Sequence, residues 1–192
     1  MGPSLKGDAL VTPVPHNVRM ISKRLSALSL ALLLTPVAGC ASGLSDGSHY
    51  RMSSESMEPT LKKGARLAAR PTDDGYVPRV GDIIVFRQPE GWSQGTSEEQ
   101  ISRVIGVPGS TVRCCDGQRR LLLDGKALDE PYLGESPASS LDFERRIPPG
   151  RLWVMSDNRD VARDSRSHRD APDGGTVGVQ DVVAVITAPG GS

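Results

Sequence analysis

Ser54 and Ser56 lie two positions apart, just ahead of Met57-Glu58-Pro59-Thr60-Leu61, a proline-stiffened turn. A turn of that kind can expose a serine and hold it, as a nucleophile in acyl transfer requires. A serine hydroxyl is a weak nucleophile near neutral pH and must lose its proton to a base as it attacks, so the motif alone specifies no reaction. Lys62 and Lys63 follow Ser56 by six and seven positions, and a lysine desolvated beside a serine can have its pKa lowered enough to serve. At a polar turn the commoner fate of such lysines is solvated charge. His168 is the alternative base, because an unperturbed imidazole titrates near about 6.5. It follows Asp164-Ser165-Arg166 in a polar stretch, where a solvated surface histidine is the default. Arg103 keeps its proton and is excluded.

Other chemistries find little support. Three histidines spread over the chain make no zinc site, and there is no phosphate loop or dinucleotide fingerprint, so neither metal nor cofactor is expected. The formal net charge is zero, and residues 41–192 carry 19 Lys/Arg against 22 Asp/Glu. Without a strongly basic face, nucleic acid is not expected as a partner.

The 192 residues suffice for one ordinary domain with appendages, and 37% hydrophobic content supports a globular core. Residues 1–40 read as a signal segment. Lys23 and Arg24 precede an apolar run from Leu25 to Leu34, too short to span a bilayer comfortably, and Met20 opens a more usual signal sequence than Met1. The run ends in Val37-Ala38-Gly39-Cys40, which resembles a lipobox in which Cys40 is lipidated; an ordinary secretory signal or a weak anchor with an incidental Cys40 is the other reading. Residues 41–49 then form a flexible tether, rich in Gly and Ser over Ala41 to Ser48, and 50–192 a domain working outside the cytoplasm.

That domain reads as mostly β. Asp82 to Phe86, Ile101 to Val107, Leu121 to Leu123, Leu152 to Met155 and Val182 to Ile186 read as strands, with Asp124-Gly125 as a hairpin turn. Residues 87–99 and 133–146 read as loops or an inserted cap rather than core. No long helical period occurs from residue 50 onward. The adjacent Cys114 and Cys115, in an exported segment, form a vicinal or an intermolecular disulfide, or are simply two small residues at a turn.

Four blocks in order resemble bacterial type I signal peptidase: SESMEPTL at 54–61, GDIIVF at 81–86, RVIGVPG at 103–109 with LLLDGKALDEPYL after it, and SDNRDVARDSR at 156–166. They cover most of residues 50–187. The resemblance implies a mostly β fold: an antiparallel β-sheet domain with a small inserted cap region and an N-terminal signal segment. It also implies a membrane-associated serine endopeptidase on the extracytoplasmic face of the cytoplasmic membrane, cleaving signal peptides from exported preproteins. Ser56 matches the nucleophile, and Ser54 the hydroxyl that forms the oxyanion hole with the nucleophile's backbone N–H. Met57, Pro59 and Thr60 match the turn, while Asp164 and Arg166 match a supporting charged pair, on one face if that stretch is extended. Some members also carry two cysteines before the hairpin.

The departures concentrate on proton transfer. The family's general-base lysine falls on Ser102, the serine that bonds that lysine falls on Ala162, and a glycine falls on Ser156. Ser102 cannot replace lysine directly, because a hydroxyl accepts a proton poorly near neutral pH. Two functions follow from the residues: a serine endopeptidase with an unorthodox or weakened proton acceptor, or a lipid-anchored pseudopeptidase that binds extended peptide segments without cutting them.

Overall fold

The structure, a computed structural model, describes residues 48–92 and 98–189. The signal segment, Cys40 and most of the tether lie outside the described residues. The first strand, β1 (Ser48–Arg51), begins two residues before the boundary placed at 50. It is followed by β2 (Arg66–Pro71), β3 (Ile83–Arg87), β4 (Glu99–Gly106), β5 (Thr111–Cys114), β6 (Leu121–Leu123), β7 (Lys126–Ala127), β8 (Phe143–Arg146), β9 (Arg151–Met155), β10 (Val177–Gly178) and β11 (Val182–Pro189). Two 3₁₀ turns, Pro131–Leu133 and Val179–Asp181, complete the regular elements. No α-helix occurs among the described residues, and none of their helices is long and apolar enough to cross a membrane.

Every pairing is antiparallel. The larger sheet runs β1-β2-β11-β3-β4-β9-β10 and the smaller β7-β6-β5-β8. The larger sheet is apolar on both faces, which explains why Ile83 to Phe86 is a continuous hydrophobic run rather than an alternating one. Ile84, Phe86, Val104, Leu152 and Val154 pack on one face with Trp92, Val177 and Val182. From the other face Ile105, Trp153 and Met155 reach Val112, Cys114, Leu121 and Ile147, joining the two sheets. Strands β4 and β9 therefore serve two cores at once.

Gly106 is where the sheets approach most tightly. A Cβ there would lie 2.6 Å from Val112 Cγ2, 3.0 Å from Ile147 Cγ1 and 3.1 Å from Trp153 Cβ, at the irregularity between Val104 and Gly106 in the β4–β9 pairing. The Asp124-Gly125 hairpin forms as expected, both residues adopting positive φ (50° and 79°) as a two-residue β turn of the primed type needs. Cys114 and Cys115 are joined to each other in a vicinal disulfide at the end of β5.

Residues 133–146 are not all loop. Phe143–Arg146 forms β8 beside β5, with alternating half-buried and exposed positions, and Phe143 packs on Trp153 with ring centroids 5.1 Å apart. Its period-two pattern is carried by one aromatic among three charged residues, too little apolar surface to register in sequence. Residues 87–99 likewise yield Arg87 to β3 and Glu99 to β4.

Gly106→Ala is expected to cost about 1–3 kcal/mol by overpacking the junction between the sheets, read as a lower urea midpoint with little change in slope; an unchanged midpoint would mean the sheets can separate freely there.

Candidate functional site

The serine turn is pinned by its own hydrophobic residues. Gly64 N donates to Met52 O (2.7 Å) and Met52 N to Ala65 O (3.0 Å), closing the loop at its base. Leu61 N donates to Met57 O (2.8 Å), and this single helical turn sets both side chains into a core with Met52 and Leu67. With Met57 and Leu61 buried, Ser54 stays exposed and Ser56 half-exposed. Their hydroxyls lie 3.0 Å apart, and the Ser56 amide approaches Ser54 Oγ at 3.4 Å. The hydroxyl of Ser54 and the amide of Ser56 are thus side by side.

The end of β9 supports this turn from behind. Asn158 N donates to Ser56 O (2.8 Å) and Asn158 Nδ2 to Glu55 O (3.2 Å). The neighbouring Asp157 carboxylate accepts from Arg103 Nε (2.8 Å) and Nη2, and from Thr60 Oγ1. One buried carboxylate therefore ties the serine turn to β4.

Ser102 and Ser156 complete the floor. The β4–β9 register ends at Arg103 opposite Met155, so the next step sets Ser102 opposite Ser156. Both are fully buried, and their hydroxyls share a hydrogen bond of 2.8 Å. Gln100 Nε2 also approaches Ser102 Oγ (3.4 Å) while donating to Arg163 O (2.9 Å). A lysine at 102 would have to thread its stem past the Ser156 side chain. Ala162 lies in the turn beyond, its amide donating to Asn158 O (3.1 Å).

Asp164 and Arg166 meet, but not on an extended strand. Residues 165–170 form turns, and Asp164 wraps onto Arg166 by accepting from its Nε (2.9 Å), Nη2 (2.9 Å) and backbone N (3.1 Å). Asp164 Oδ2 also accepts from Ser156 N (3.0 Å). The supporting pair thus reaches the serine pair through the backbone of Ser156.

Arg159 and Tyr132, which residue types alone did not single out, extend this support to the small sheet's flank. Buried Arg159 donates to Ser156 O (3.0 Å), Ala138 O (2.7 Å) and Glu130 (2.6 Å). Tyr132 lies under the Arg103 guanidinium, 4.2 Å from carbon to ring centre. Burial, and then the Glu130 carboxylate, hold the Tyr132 phenol well above its usual value, so it stays neutral. Nothing local in sequence announces the contacts of Arg159 with Ala138 and Glu130, because they join residues 21 and 29 positions apart.

None of the alternative bases is hydrogen-bonded to Ser56, although Lys63 lines the same groove. His168 lies flat on Trp92, ring centroids 4.3 Å apart and planes 12° from parallel. Lys63 pairs with Glu55 at 3.3 Å on the exposed rim, and Lys62 is exposed. Among the described residues the hydrogen-bond partner of the Ser56 hydroxyl is Ser54, and no cluster of His, Cys, Asp and Glu is arranged to hold a metal ion. The two serines open onto a groove of about 760 Å³, walled by Tyr50, Trp92, Gln100, Ile101 and Val161.

Known proteins resemble the chain over much of its length. The family model described as signal peptidase, peptidase S26, matches residues 24–189. Signal peptidase I of Mycobacterium tuberculosis is 33% identical over 181 residues, covering 70% of this chain and 61% of that protein. A probable signal peptidase I-1 of Synechocystis is 34% identical over 160 residues, covering 80% and 77%. A crystal structure of a signal peptidase I from Enterococcus faecalis aligns with 27% identity and a TM-score of 0.47, over 58% of this chain and 98% of that one. The chain spans about three-fifths of the length of the mycobacterial relative it matches.

Burial, then the nearby Arg163, lowers the His168 pKa from its ordinary value. The folded value lies below the unfolded one of about 6.5, so the unfolded chain takes up the proton first as pH falls. Stability is expected to be full above that value and to decline below it. Urea midpoints measured on either side should differ more for the wild type than for His168→Phe, which keeps a stacked ring; an equal difference would remove His168 as the cause.

Proposed function

Because the chain belongs to the signal peptidase family, peptidase S26, we propose that it is a membrane-associated serine endopeptidase of the signal peptidase I type, taking the cleavage region of exported preproteins into the groove at Ser56. The observation that carries this reading is the adjacency of the Ser54 hydroxyl and the Ser56 amide beside the Ser56 hydroxyl. Ser56 Oγ attacks the scissile carbonyl, and its carbon–oxygen bond forms as the amide π bond opens. The new oxyanion takes the Ser54 hydroxyl and the Ser56 N–H as donors, each such donor being worth about 10²- to 10³-fold in rate. Strand β4 meets β9 only from Arg103 onward, so Gln100 and Ile101 border the groove, where an extended peptide gains main-chain hydrogen bonds by strand addition.

The hydrogen-bond partner of the Ser56 hydroxyl is Ser54, and since a hydroxyl takes up a proton poorly near neutral pH, the proton of Ser56 passes to solvent hydroxide. Catalysis then rests on the oxyanion donors and binding, a contribution of about 10³- to 10⁴-fold over water, and the rate climbs with pH instead of levelling near neutrality. The buried Ser102–Ser156 hydrogen bond favours the second reading: a pseudopeptidase that keeps the groove and binds extended segments without cutting. In both, the N-terminal segment holds residues 50–192 at the outer face of the cytoplasmic membrane, through a lipid on Cys40.

Residues 43–192 form one compact unit with its own cores, so this domain serves for the test. Incubated with a preprotein in detergent, it is expected to cleave slowly, faster at higher pH, with all cleavage lost in Ser56→Ala. An inert wild type that still binds the peptide would establish the second reading. Ser102→Lys with Ala162→Ser is expected to gain activity only when Ser156→Gly is added, because the Ser156 side chain occupies the lysine's path. A triple variant that stays inert would mean the groove itself has changed. Full-length Cys40→Ser should leave the membrane fraction; retention there would count against lipid attachment.

A further inference from the structure

The Cys114–Cys115 disulfide has no part in the chemistry proposed at Ser56, and it is a poor staple. A cross-link stabilises mainly by closing a loop in the unfolded chain, and one between sequence neighbours closes almost none. What it fixes is the direction of a side chain. Along β5 the positions alternate, with Val112 and Cys114 buried and Arg113 exposed, so a strand that continued would turn Cys115 outward beside Arg113. The disulfide instead holds Cys115 half-buried against the same core as Cys114, near Leu128, Leu133 and Phe143.

The chain turns at this point. Asp116 N donates to Arg120 O (3.0 Å), and Asp116 Oδ1 accepts from the backbone N of Gln118 and of Arg120 (both 2.9 Å). Three hydrogen bonds in series then join the turn to the floor of the site. Ala138 N donates to Arg119 O (3.2 Å), Arg159 Nη1 to Ala138 O (2.7 Å) and Arg159 Nε to Ser156 O (3.0 Å). Two residues beyond Ser156, Asn158 N donates to Ser56 O (2.8 Å). Ala138, midway along this series, is itself buried in the core that holds Cys114. The placement of Cys115 and that of the serine turn are therefore linked through contiguous contacts.

We propose that Cys114–Cys115 is a thiol–disulfide exchange site, and that its reduction by an extracytoplasmic dithiol protein loosens the support of the serine turn. The proposal rests on the reading that the domain works outside the cytoplasm, where a disulfide persists until a donor meets it. A thiolate of the donor attacks the half-buried Cys115 Sγ, the Cys114–Cys115 bond breaks, and Cys114 Sγ leaves with the electron pair and takes up a proton. The donor's second thiol, after losing its proton, attacks the mixed disulfide and releases Cys115 as a thiolate that is protonated in turn. The pair gains two electrons and two protons, and the donor ends as a disulfide. Cys115 is then free to follow the strand outward, and Arg119 O withdraws from Ala138 N. The turn is a two-state element, with Cys115 on the core or off it, and Arg159 carries its state to Ser156.

The test uses residues 43–192, in which Cys114 and Cys115 are the two cysteines, with dithiothreitol as the donor. Reduction is expected to yield two titratable thiols and to speed amide hydrogen exchange at Ala138 and at Asn158 about tenfold, the effect of one weakened hydrogen bond, while amides of the β2–β11 pairing keep their rates. Cys115→Ser should show the faster rates with or without dithiothreitol. In Arg159→Lys, reduction should release Ala138 and leave Asn158 unmoved; should that variant fail to fold, the wild type and Cys115→Ser still decide. An extended peptide bound by the oxidised domain should bind about tenfold more weakly once the pair is reduced. A pair that yields no thiols, an Asn158 rate that ignores reduction while Ala138 responds, or a peptide bound equally well by both forms would overturn the proposal. A peptide bound by neither form would sink the reading of the groove, and the Asn158 rate would then decide this proposal by itself.

Discussion

The three residues that follow β9 hold the rest of the site together. Ser156, Asp157 and Asn158 fasten, in turn, the buried serine of β4, the Arg103 guanidinium with Thr60 of the serine turn, and the backbone of Glu55 and Ser56. The Asp157 side chain is fully buried and that of Arg103 largely so. Such a pair is weak evidence of stability in itself, but removing one partner strands a buried charge at a cost of about 3–5 kcal/mol. The geometry of the serine turn thus depends on a charge pair that β4 and β9 can form only when paired in this register.

The same register explains how position 102 is satisfied without a charged side chain. A lysine at position 102 would bring a desolvated ammonium into the floor of the site, beside the Asp157–Arg103 and Asp164–Arg166 pairs. Two serines facing one another satisfy each other with a hydrogen bond and bury no charge. Their substitution is mutually compatible, since Ser156 fills space that a longer side chain at 102 would need. What remains is a serine turn on a rigid floor, its Ser56 hydroxyl hydrogen-bonded to Ser54.

Much of the architecture was legible in the chain. The continuous run Ile83 to Phe86, the Asp124-Gly125 turn and the apolar stretch at 152–155 each carry a local signal strong enough to decide their structure. Strands β1, β2, β5 and β8 were not legible, because they are short and carry charged residues among their apolar ones; their partners make them strands. Asp164 and Arg166 were expected to pair, on one face if the stretch were extended; they do pair, but in a turn, where the carboxylate caps the backbone N–H of Arg166 as well as its guanidinium. His168 was a plausible base by its chemistry alone, and only the Trp92 stack shows its ring occupied elsewhere.

The residues themselves determined which groups are available: two hydroxyls in one turn, a serine rather than a basic side chain at position 102, and an adjacent cysteine pair. Those are properties of side-chain type and local spacing, and no folding changes them. Tertiary structure decided what each group faces. It joined Ser102 to Ser156, set Arg159 and Tyr132 behind the site, turned His168 onto Trp92 and aligned Arg51 with Arg66. These facts depend on strand register and on contacts between distant residues, where a shift of one position would turn every side chain to the opposite face.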